Sequence, residues 1–262
     1  MMQRGSGKNG RVLSKTNSAA IRNDVHSAAR LRHCVLHAVD GEVGVLQELY
    51  FDDVTWTLRY LAVAAGHSPD QQLLIPPLAV GEIFEHRNLI HIELEHEQIE
   101  ASPPVSSRRS VSQGDEERLY RYYGWPRYWD PALTDVPRST HRRTPAVEMP
   151  RVPVLRSEQT RLHGAGEITG CTLMASNGEV GRIRDIVIDA RYWAIRYLQV
   201  DAGDRLLVIS PGWIEMVDWV QRSLRVDLTH EAMCSAPPYD QNSVERDYDV
   251  QLSRHYRRHN CR

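Results

Sequence analysis

Two acid–base pairs stand out among the residues that could do chemistry. Asp52 precedes Arg59 by seven positions, and Asp189 precedes Arg196 by the same number. A carboxylate near a guanidinium can support acid–base chemistry, or it can form a structural ion pair. Each pair spans a predicted turn and the strand that leaves it. We therefore interpret the aspartates as turn-stabilising carboxylates and the arginines as their cross-strand partners.

The two pairs belong to a long internal repeat. Residues 34–66 overlay residues 171–203 without a gap, and close to half of these positions are identical. After a three-residue deletion, residues 73–77 (LLIPP) align with residues 207–211 (LVISP). A period of about 135 residues is too long for a solenoid unit, so the chain carries a duplicated small domain. A residue kept in both copies predicts a role in the shared fold, whereas a residue found in one copy is free for function.

By this criterion the residues that the copies share form a structural signature. They are Gly41, Gly44, Asp52, Trp56, Arg59 and Tyr60 in the first copy, and Gly178, Gly181, Asp189, Trp193, Arg196 and Tyr197 in the second. We interpret the two tryptophans as core residues rather than as rings that stack on a ligand. The common phosphate-loop, dinucleotide, zinc-protease and esterase motifs do not occur in the sequence. We therefore predict no catalytic, cofactor-binding or metal-binding residue and no enzymatic activity.

Each repeat shows several short strand patterns separated by turn signals. Asp40-Gly41 and Asn177-Gly178 occupy the same place in the two copies and predict hairpins with type I′ turns. Five to six strands in about 70 residues favour a small closed barrel, because closure removes unpaired sheet edges. The predicted fold class is all-β, with two small β-barrels that are each followed by an amphipathic helix.

The helix pattern after the first repeat begins and ends at clear signals. Ser112 with Asp115 predicts a capping box, and Gly124 predicts the end of the helix. Leu119, Tyr122 and Tyr123 predict an apolar stripe. The resulting domain boundaries are a disordered basic leader at 1–27, the first barrel at 28–101, the helix and a proline-rich linker at 102–161, the second barrel at 162–236, and a C-terminal helix and tail at 237–262.

Aromatic residues interleaved with arginines follow the first barrel and form a candidate partner surface. They are Tyr120, Tyr122, Tyr123, Trp125, Tyr128 and Trp129. Such a surface can stack bases, lie at a membrane interface or form a hot spot against a protein. The pattern is partly repeated at 252–258, which favours packing within the chain or in a dimer.

Charge is distributed unevenly along a chain whose formal net charge is −2. Residues 33–101 contain twelve Asp and Glu but only two Arg and no Lys, so this part carries a charge of −10. A surface of this sign repels phosphate backbones, and a nucleic-acid partner is therefore disfavoured. The four cysteines show no C-x-x-C spacing, which favours reduced thiols and a cytoplasmic location.

The repeated motif D/N-G-E-V-G, then D-x-x-x-W-x-x-R-Y-L-x-V, then L-x-x-P, resembles the PRC-barrel domain. That domain is the cytoplasmic barrel of the photosynthetic reaction centre H subunit, and it also occurs at the C-terminal end of the ribosome maturation factor. Residues 119–129 (LYRYYGWPRYW) resemble the tail of stand-alone bacterial tandem PRC-barrel proteins. The chain lacks the transmembrane helix of the H subunit, and both of its halves are of one type, unlike the maturation factor.

The resemblance and the charge pattern together imply a binding or scaffold protein that engages a protein partner or a second copy of itself, without a cofactor. The acidic first repeat would select a basic surface. Two alternatives follow from the resemblance: a peripheral component of a photosynthetic or electron-transport assembly at a membrane, and an RNA or ribosome-assembly adaptor.

Overall fold

Strands dominate both repeats and occur at equivalent places in them. The computed structural model describes residues 25–65, 68–106, 111–125, 127–129, 162–239 and 246–259. The strands of the first repeat are β1 (Val25–Ser27), β2 (Val35–His37), β3 (Glu42–Asp52), β4 (Thr57–Ala65), β5 (Ser68–Ile75), β6 (Val80–Phe84), β7 (Leu89–Ile92) and β8 (Val105–Ser106). Those of the second are β9 (Leu162–Gly164), β10 (Thr172–Ala175), β11 (Gly178–Asp189), β12 (Ala194–Asp201), β13 (Leu206–Ile209), β14 (Ile214–Asp218) and β15 (Ser223–Val226).

Short helices connect the strands, and one longer helix follows each repeat. They are α1 (Ala28–Leu31), α2 (His96–Glu100), α3 (Gln113–Tyr123), α4 (Ala165–Ile168), α5 (His230–Cys234) and α6 (Arg246–His259), with 3₁₀ turns at Pro77–Ala79, Glu85–Arg87 and Pro211–Trp213. Among the described residues, no helix has both the length and the apolar character that crossing a lipid bilayer requires. Residues 25–27 of the predicted leader form β1, and the rest of the leader lies outside the described residues, as do residues 130–161 of the predicted linker.

The described strands of both repeats join into one mixed sheet. Its main path is β14-β15-β10-β11-β12-β4-β3-β2-β7-β6, and the remaining strands pair off this path. The all-β prediction holds in the coarser form of a mostly-β protein, but the prediction of two closed barrels is wrong, because the sheet is not closed into barrels. The long hairpin of each repeat receives a short strand from the other repeat, so its edge is covered by exchange rather than by closure.

The exchange is reciprocal. Strand β1, which precedes the first repeat, pairs antiparallel with the end of β11 in the second repeat, where Ser27 lies opposite Val187. Strand β9, which precedes the second repeat, pairs antiparallel with the end of β3 in the first, where Gly164 lies opposite Tyr50. Each repeat therefore receives a strand from the other repeat, and the two halves are related by an approximate twofold symmetry.

Two tryptophans join the repeats at the centre of this arrangement. Trp56 and Trp193 have φ angles of 54° and 51°, in the left-handed region that bulky residues rarely adopt. The Leu58 amide donates to the Trp193 carbonyl at 2.7 Å, and the Ile195 amide donates to the Trp56 carbonyl at 2.8 Å. The unusual backbone conformation thus belongs to the residues whose carbonyl groups accept a hydrogen bond from the opposite repeat.

The predicted hairpins at Asp40-Gly41 and Asn177-Gly178 are present, but the predicted turn type is wrong. Strands β2–β3 and β10–β11 pair antiparallel, each with a bulge. Neither Asp40 nor Asn177 has the positive φ that a type I′ turn requires. Their side chains instead accept hydrogen bonds from the first amide of a following helix, His96 N at 2.7 Å and His230 N at 2.8 Å. The side chains of Asp40 and Asn177 therefore bond to the first turns of α2 and α5.

A carboxylate at a bulge anchors each exchanged segment. Asp185 accepts hydrogen bonds from the Ser27 hydroxyl and, at 3.1 Å, from the Ala29 amide. At the equivalent place in the other half, Glu48 accepts from the Gly166 amide at 3.2 Å. Gly164 stands where the other half has Ser27, and a Cβ atom there would lie 2.9 Å from the Glu48 carboxylate. The longer acid is thus matched by a glycine and the shorter acid by a serine.

This matching predicts a non-additive pair of substitutions. Ser27→Gly should lower the free energy of unfolding by about 1 kcal/mol through loss of the hydroxyl donor. Asp185→Glu should lower it by about 1 to 2 kcal/mol through overpacking against Ser27. The double variant reproduces the pairing of Gly164 with Glu48, although Thr169 stands where the other half has Arg32, which also bonds to Glu48. We therefore expect it to lose about 1 kcal/mol less than the sum of the single changes.

Urea denaturation followed by tryptophan fluorescence measures this cycle. Ser112→Gly removes a similar N-cap hydroxyl from the start of α3, and its effect should add to that of Asp185→Glu because the two sites share no partner. Additive behaviour of the Ser27 and Asp185 changes would contradict the matched clamp.

Candidate binding cleft between the repeats

The predicted aromatic surface packs largely on its own sheet. Tyr120 is buried, Tyr122 is exposed to 41%, and Tyr123, Trp125, Tyr128 and Trp129 are half-buried. Helix α3 and the residues that follow it place all of these rings except Tyr122, together with Leu119, over the face of β3, β4 and β5 that carries Tyr50, Tyr60 and Leu74. The capping box at Ser112 and the left-handed Gly124 begin and end the helix as predicted. One member of the predicted stripe, Tyr122, is exposed and bonds to the Gln98 carbonyl, whereas Glu116 and Tyr120 are buried.

Glu116 connects the helix to the sheet. Its Oε1 accepts a hydrogen bond from the Tyr60 hydroxyl at 2.9 Å and another from the Tyr128 hydroxyl at 2.8 Å. Burial and the nearby Glu116 carboxylate raise the pKa of Tyr60 well above its ordinary value, so this phenol stays protonated and acts as the donor. The Arg59 guanidinium lies 3.8 Å over the Tyr128 ring. These rings therefore contact one another and the sheet, which leaves Tyr122 as the most exposed of the six. Whether this remaining surface binds a partner stays a prediction.

The docking of α3 predicts unequal effects of two neighbouring tyrosines. Tyr120→Ala should lower the free energy of unfolding by about 3 kcal/mol, because the buried ring leaves a cavity. Tyr122→Ala should lower it by less than about 1 kcal/mol, because the ring is exposed and only its hydroxyl bonds to the Gln98 carbonyl. Urea denaturation of the two variants measures the difference, and equal losses would show that α3 does not dock as described.

The signature acids and arginines serve turns and ion pairs. Oδ1 of Asp52 accepts from the amides of Val54 at 2.9 Å and Thr55 at 3.0 Å, while its Oδ2 lies 3.0 Å from Arg59. In the second repeat Oδ1 of Asp189 accepts from the Arg191 amide at 3.0 Å. Arg196 lies 3.9 Å from Asp189 and forms its closer ion pair with Asp249 of α6.

The other signature residues also have structural surroundings. Tyr60 and Tyr197 are buried at equivalent places in β4 and β12. A Cβ atom on Gly181 would lie 2.1 Å from the Asp201 carbonyl oxygen, so only glycine fits there. Gly44 has a φ of 145°, and Gly41 and Gly178 belong to the hairpin turns.

A cleft opens where the β3–β4 turn of the first repeat meets β14 of the second. Its lining consists of Asp53, Val54, Trp56, Ile214, Glu215, Met216, Val217 and Trp219. Val54 and Met216 are exposed to 40% and 48%, so the cleft has apolar side chains at its surface. The volume is about 330 Å³, near the lower end for binding sites, and suits one or two side chains. A second cleft lies beside the Asp185 clamp, where the carboxylate is already bonded to Ser27 and Ala29.

The chemistry of the first cleft is present in only one half of the molecule. By the alignment of the repeats, Asp53, Glu215, Met216 and Trp219 correspond to Ala190, Gly81, Glu82 and Glu85. Trp56, in contrast, corresponds to Trp193. The single-copy criterion of the sequence analysis therefore selects this cleft once the structure has brought its residues together. We did not predict it, because its two halves lie more than 150 residues apart in the chain.

A buried histidine supports the wall of the cleft. The ring of His163, on β9, stacks on the indole of Trp219 with a centroid distance of 3.6 Å and an interplanar angle of 9°. Its Nδ1 lies 2.8 Å from Glu167 Oε2, and its Nε2 lies 3.5 Å from Asp53 Oδ2. The Trp219 indole N–H donates to the same Asp53 oxygen at 3.3 Å. The exchanged strand β9 thus fixes the positions of both Trp219 and Asp53.

The two carboxylates determine how His163 titrates. Burial opposes a charge on the imidazole, but its attraction to the Asp53 and Glu167 carboxylates, of which Glu167 accepts a hydrogen bond from the ring, outweighs burial and raises the pKa of His163 above its ordinary value of 6.5. The hydrogen bond to His163 in turn lowers the pKa of Glu167 below its ordinary value of 4.5. At a pH between the pKa of Glu167 and the pKa of His163, the two side chains form an ion pair that joins β9 to α4.

This pair predicts a pH dependence of stability. Because the folded-state pKa of His163 lies above its unfolded value, its contribution is complete below about pH 6.5 and is lost as the pH rises through the folded-state pKa. We expect the free energy of unfolding to decline as the pH rises above about 6.5, and His163→Gln to make the decline shallower. Urea denaturation at several pH values tests this, with the exposed His33→Gln as control. A slope unchanged by His163→Gln would contradict it.

Within the part of the chain that the structure describes, no group of three or more His, Cys, Asp or Glu residues is arranged to hold a metal ion.

Comparison with known proteins found no matching family model and no matching curated relative. The site is therefore defined by its own geometry: a small aromatic and acidic cleft, built by strand exchange between two repeats of a mostly-β protein.

Proposed function

We propose that this chain is a tandem PRC-barrel-type scaffold without enzymatic activity, and that it binds a basic surface on a partner protein. In this proposal each repeat with its following helix corresponds to one PRC-type unit, and strand exchange joins the two units. The repeated motif, from Gly41-Glu42-Val43-Gly44 to the Pro at the end of LLIPP, supports the assignment by resemblance. The duplicated helices α3 and α6 support it too, because each one packs on its own repeat.

The observation that carries the proposal is the single-copy cleft between the repeats. Residues that only maintain the fold should recur in both halves, yet the cleft combines exposed apolar side chains with two carboxylates that the other half lacks. Apolar surface rimmed by charge is typical of protein-binding sites. The site lies between two rigidly paired repeats, so its parts are held in place before a partner arrives.

Charge determines the kind of partner. The part of the chain with a net charge of −10 includes the β3–β4 turn, and its exposed acids include Glu93 and Glu97 near α2. Electrostatic complementarity accelerates association with a basic surface and disfavours phosphate-rich ligands. A protein with clustered Lys or Arg beside apolar side chains satisfies both the charge and the cleft.

Binding of labelled peptides to the full chain tests the proposal. Fluorescence anisotropy compares a peptide of alternating Arg and Leu with one of alternating Glu and Leu and with a single-stranded RNA. We expect the basic peptide to bind at least about 10-fold more tightly than the others, with an affinity that falls as salt is raised. Tighter binding of the RNA, or no preference for the basic peptide, would overturn the proposal.

A charge-matched pair of variants locates the effect in the first repeat. Glu93→Gln with Glu97→Gln removes two charges from the acidic repeat, and we expect a loss of roughly fivefold in affinity for the basic peptide. Glu179→Gln with Asp204→Asn removes two exposed charges from the second repeat, and we expect a loss of under about twofold. Equal losses would contradict selection by the first repeat.

A further inference from the structure

We propose that the cleft between the repeats holds an arginine side chain of the partner protein. This inference rests on the proposed function, since it names the group that the scaffold recognises. The site consists of the Asp53 and Glu215 carboxylates, the Trp56 and Trp219 indoles, and the apolar side chains of Val54 and Met216. Each of these three kinds of group contacts a different part of an arginine.

Asp53 supplies the negative charge. Its Oδ2 accepts the Trp219 indole N–H at 3.3 Å, whereas its Oδ1 is buried and has no hydrogen-bond partner among the described residues. The Asp53 side chain is 20% exposed, and a cation bound beside its exposed part is attracted by the carboxylate and offsets the cost of holding this charge partly away from water. Glu215, on the opposite wall, adds a second carboxylate.

The nearby positive groups lie closer to Glu167 than to Asp53, although Asp53 also attracts the protonated His163. His163 approaches Glu167 at 2.8 Å but Asp53 only at 3.5 Å. Arg222 also acts on Glu167, whose pKa it helps to lower. The lining of the cleft contains no Lys or Arg. Asp53 and Glu215 together therefore favour a cationic ligand and repel a carboxylate or a phosphate.

The tryptophans favour arginine over lysine. A planar guanidinium stacks on an indole ring and binds a carboxylate with two parallel hydrogen bonds, while an ammonium group does neither as well. Val54 and Met216 are placed to cover the aliphatic part of the side chain, which long cationic residues bury against apolar surface. A cleft of about 330 Å³ accommodates this one side chain.

The equivalent positions in the other half of the molecule do not form such a site. There, Ala190 replaces Asp53, Glu85 replaces Trp219, and Glu85 is occupied by the equivalent histidine, His26, at 2.6 Å. Arg30 lies 3.6 Å from the same glutamate. The acid of that half is already paired, whereas Oδ1 of Asp53 has no hydrogen-bond partner among the described residues.

Nuclear magnetic resonance of the ¹⁵N-labelled full chain tests the inference. The indole N–H signal of Trp219 is assigned by its loss in Trp219→Phe. Three short peptides, identical except for a central arginine, lysine or citrulline, are added in turn; citrulline keeps the shape of arginine without the charge. We expect the Trp219 signal to move with the arginine peptide, more weakly with lysine and not with citrulline. A shift with citrulline equal to that with arginine, equal binding of lysine, or no shift with any peptide would overturn the assignment.

Asp53→Asn provides the decisive variant, because it keeps an acceptor for the Trp219 N–H and removes the charge, which also attracts His163. We expect it to weaken binding of the arginine peptide by about 10-fold. The control is Glu82→Gln, which removes a charge from the equivalent strand β6 and should weaken binding by under about twofold. Unfolding by urea verifies that both variants remain folded. We expect Asp53→Asn to fold, because the equivalent position in the other half is occupied by the uncharged Ala190.

The two proposals fail in different ways. If the basic peptide binds the full chain but Asp53→Asn has no effect and the Trp219 signal stays fixed, the arginine site is overturned and the scaffold proposal stands. If no basic peptide binds at all, both are overturned.

Discussion

The structure depends on two backbone hydrogen bonds that join the repeats, one from Ile195 to the Trp56 carbonyl and one from Leu58 to the Trp193 carbonyl. Both tryptophans adopt a left-handed backbone conformation, which costs on the order of 1 to 3 kcal/mol each in a non-glycine residue. The surrounding exchange of β1 and β9 and the packing of both rings against the core offset this cost. Because Asp53 belongs to the same turn as Trp56, the conformation that joins the repeats also positions the acid of the cleft.

A symmetric backbone here carries asymmetric side chains. The exchanged segments are anchored by Ser27 with Asp185 in one half and by Gly164 with Glu48 in the other, two solutions that keep the same backbone contact. The histidine of each exchanged strand shows a larger divergence, since it contacts Glu85 in one half but stacks on Trp219 in the other. The different anchors of the exchanged segments preserve the fold, whereas the different surroundings of His26 and His163 create a surface with new chemistry in one half.

The sequence predicts what local patterns determine. The capping box at Ser112 and Asp115 and the helix end at Gly124 follow from neighbouring residues, and the structure has them. Strand exchange does not follow, because β1 and β9 have three residues each and pair with partners more than 100 positions away. A three-residue strand has too short a pattern to be recognised. The cleft could be found only in part: its residues are marked as single-copy, but their proximity is a product of the exchange.

Occupation of the cleft is coupled to the association of the repeats. A side chain bound between Asp53 of the first repeat and Glu215 of the second contacts both halves, so its binding free energy adds to the interactions that hold the halves together. The coupling is reciprocal: the exchange, through the stack of His163 on Trp219, prepares the wall that the ligand meets. A duplicated domain gains from this arrangement something that one copy alone lacks, because a site at the junction exists only while both repeats remain joined.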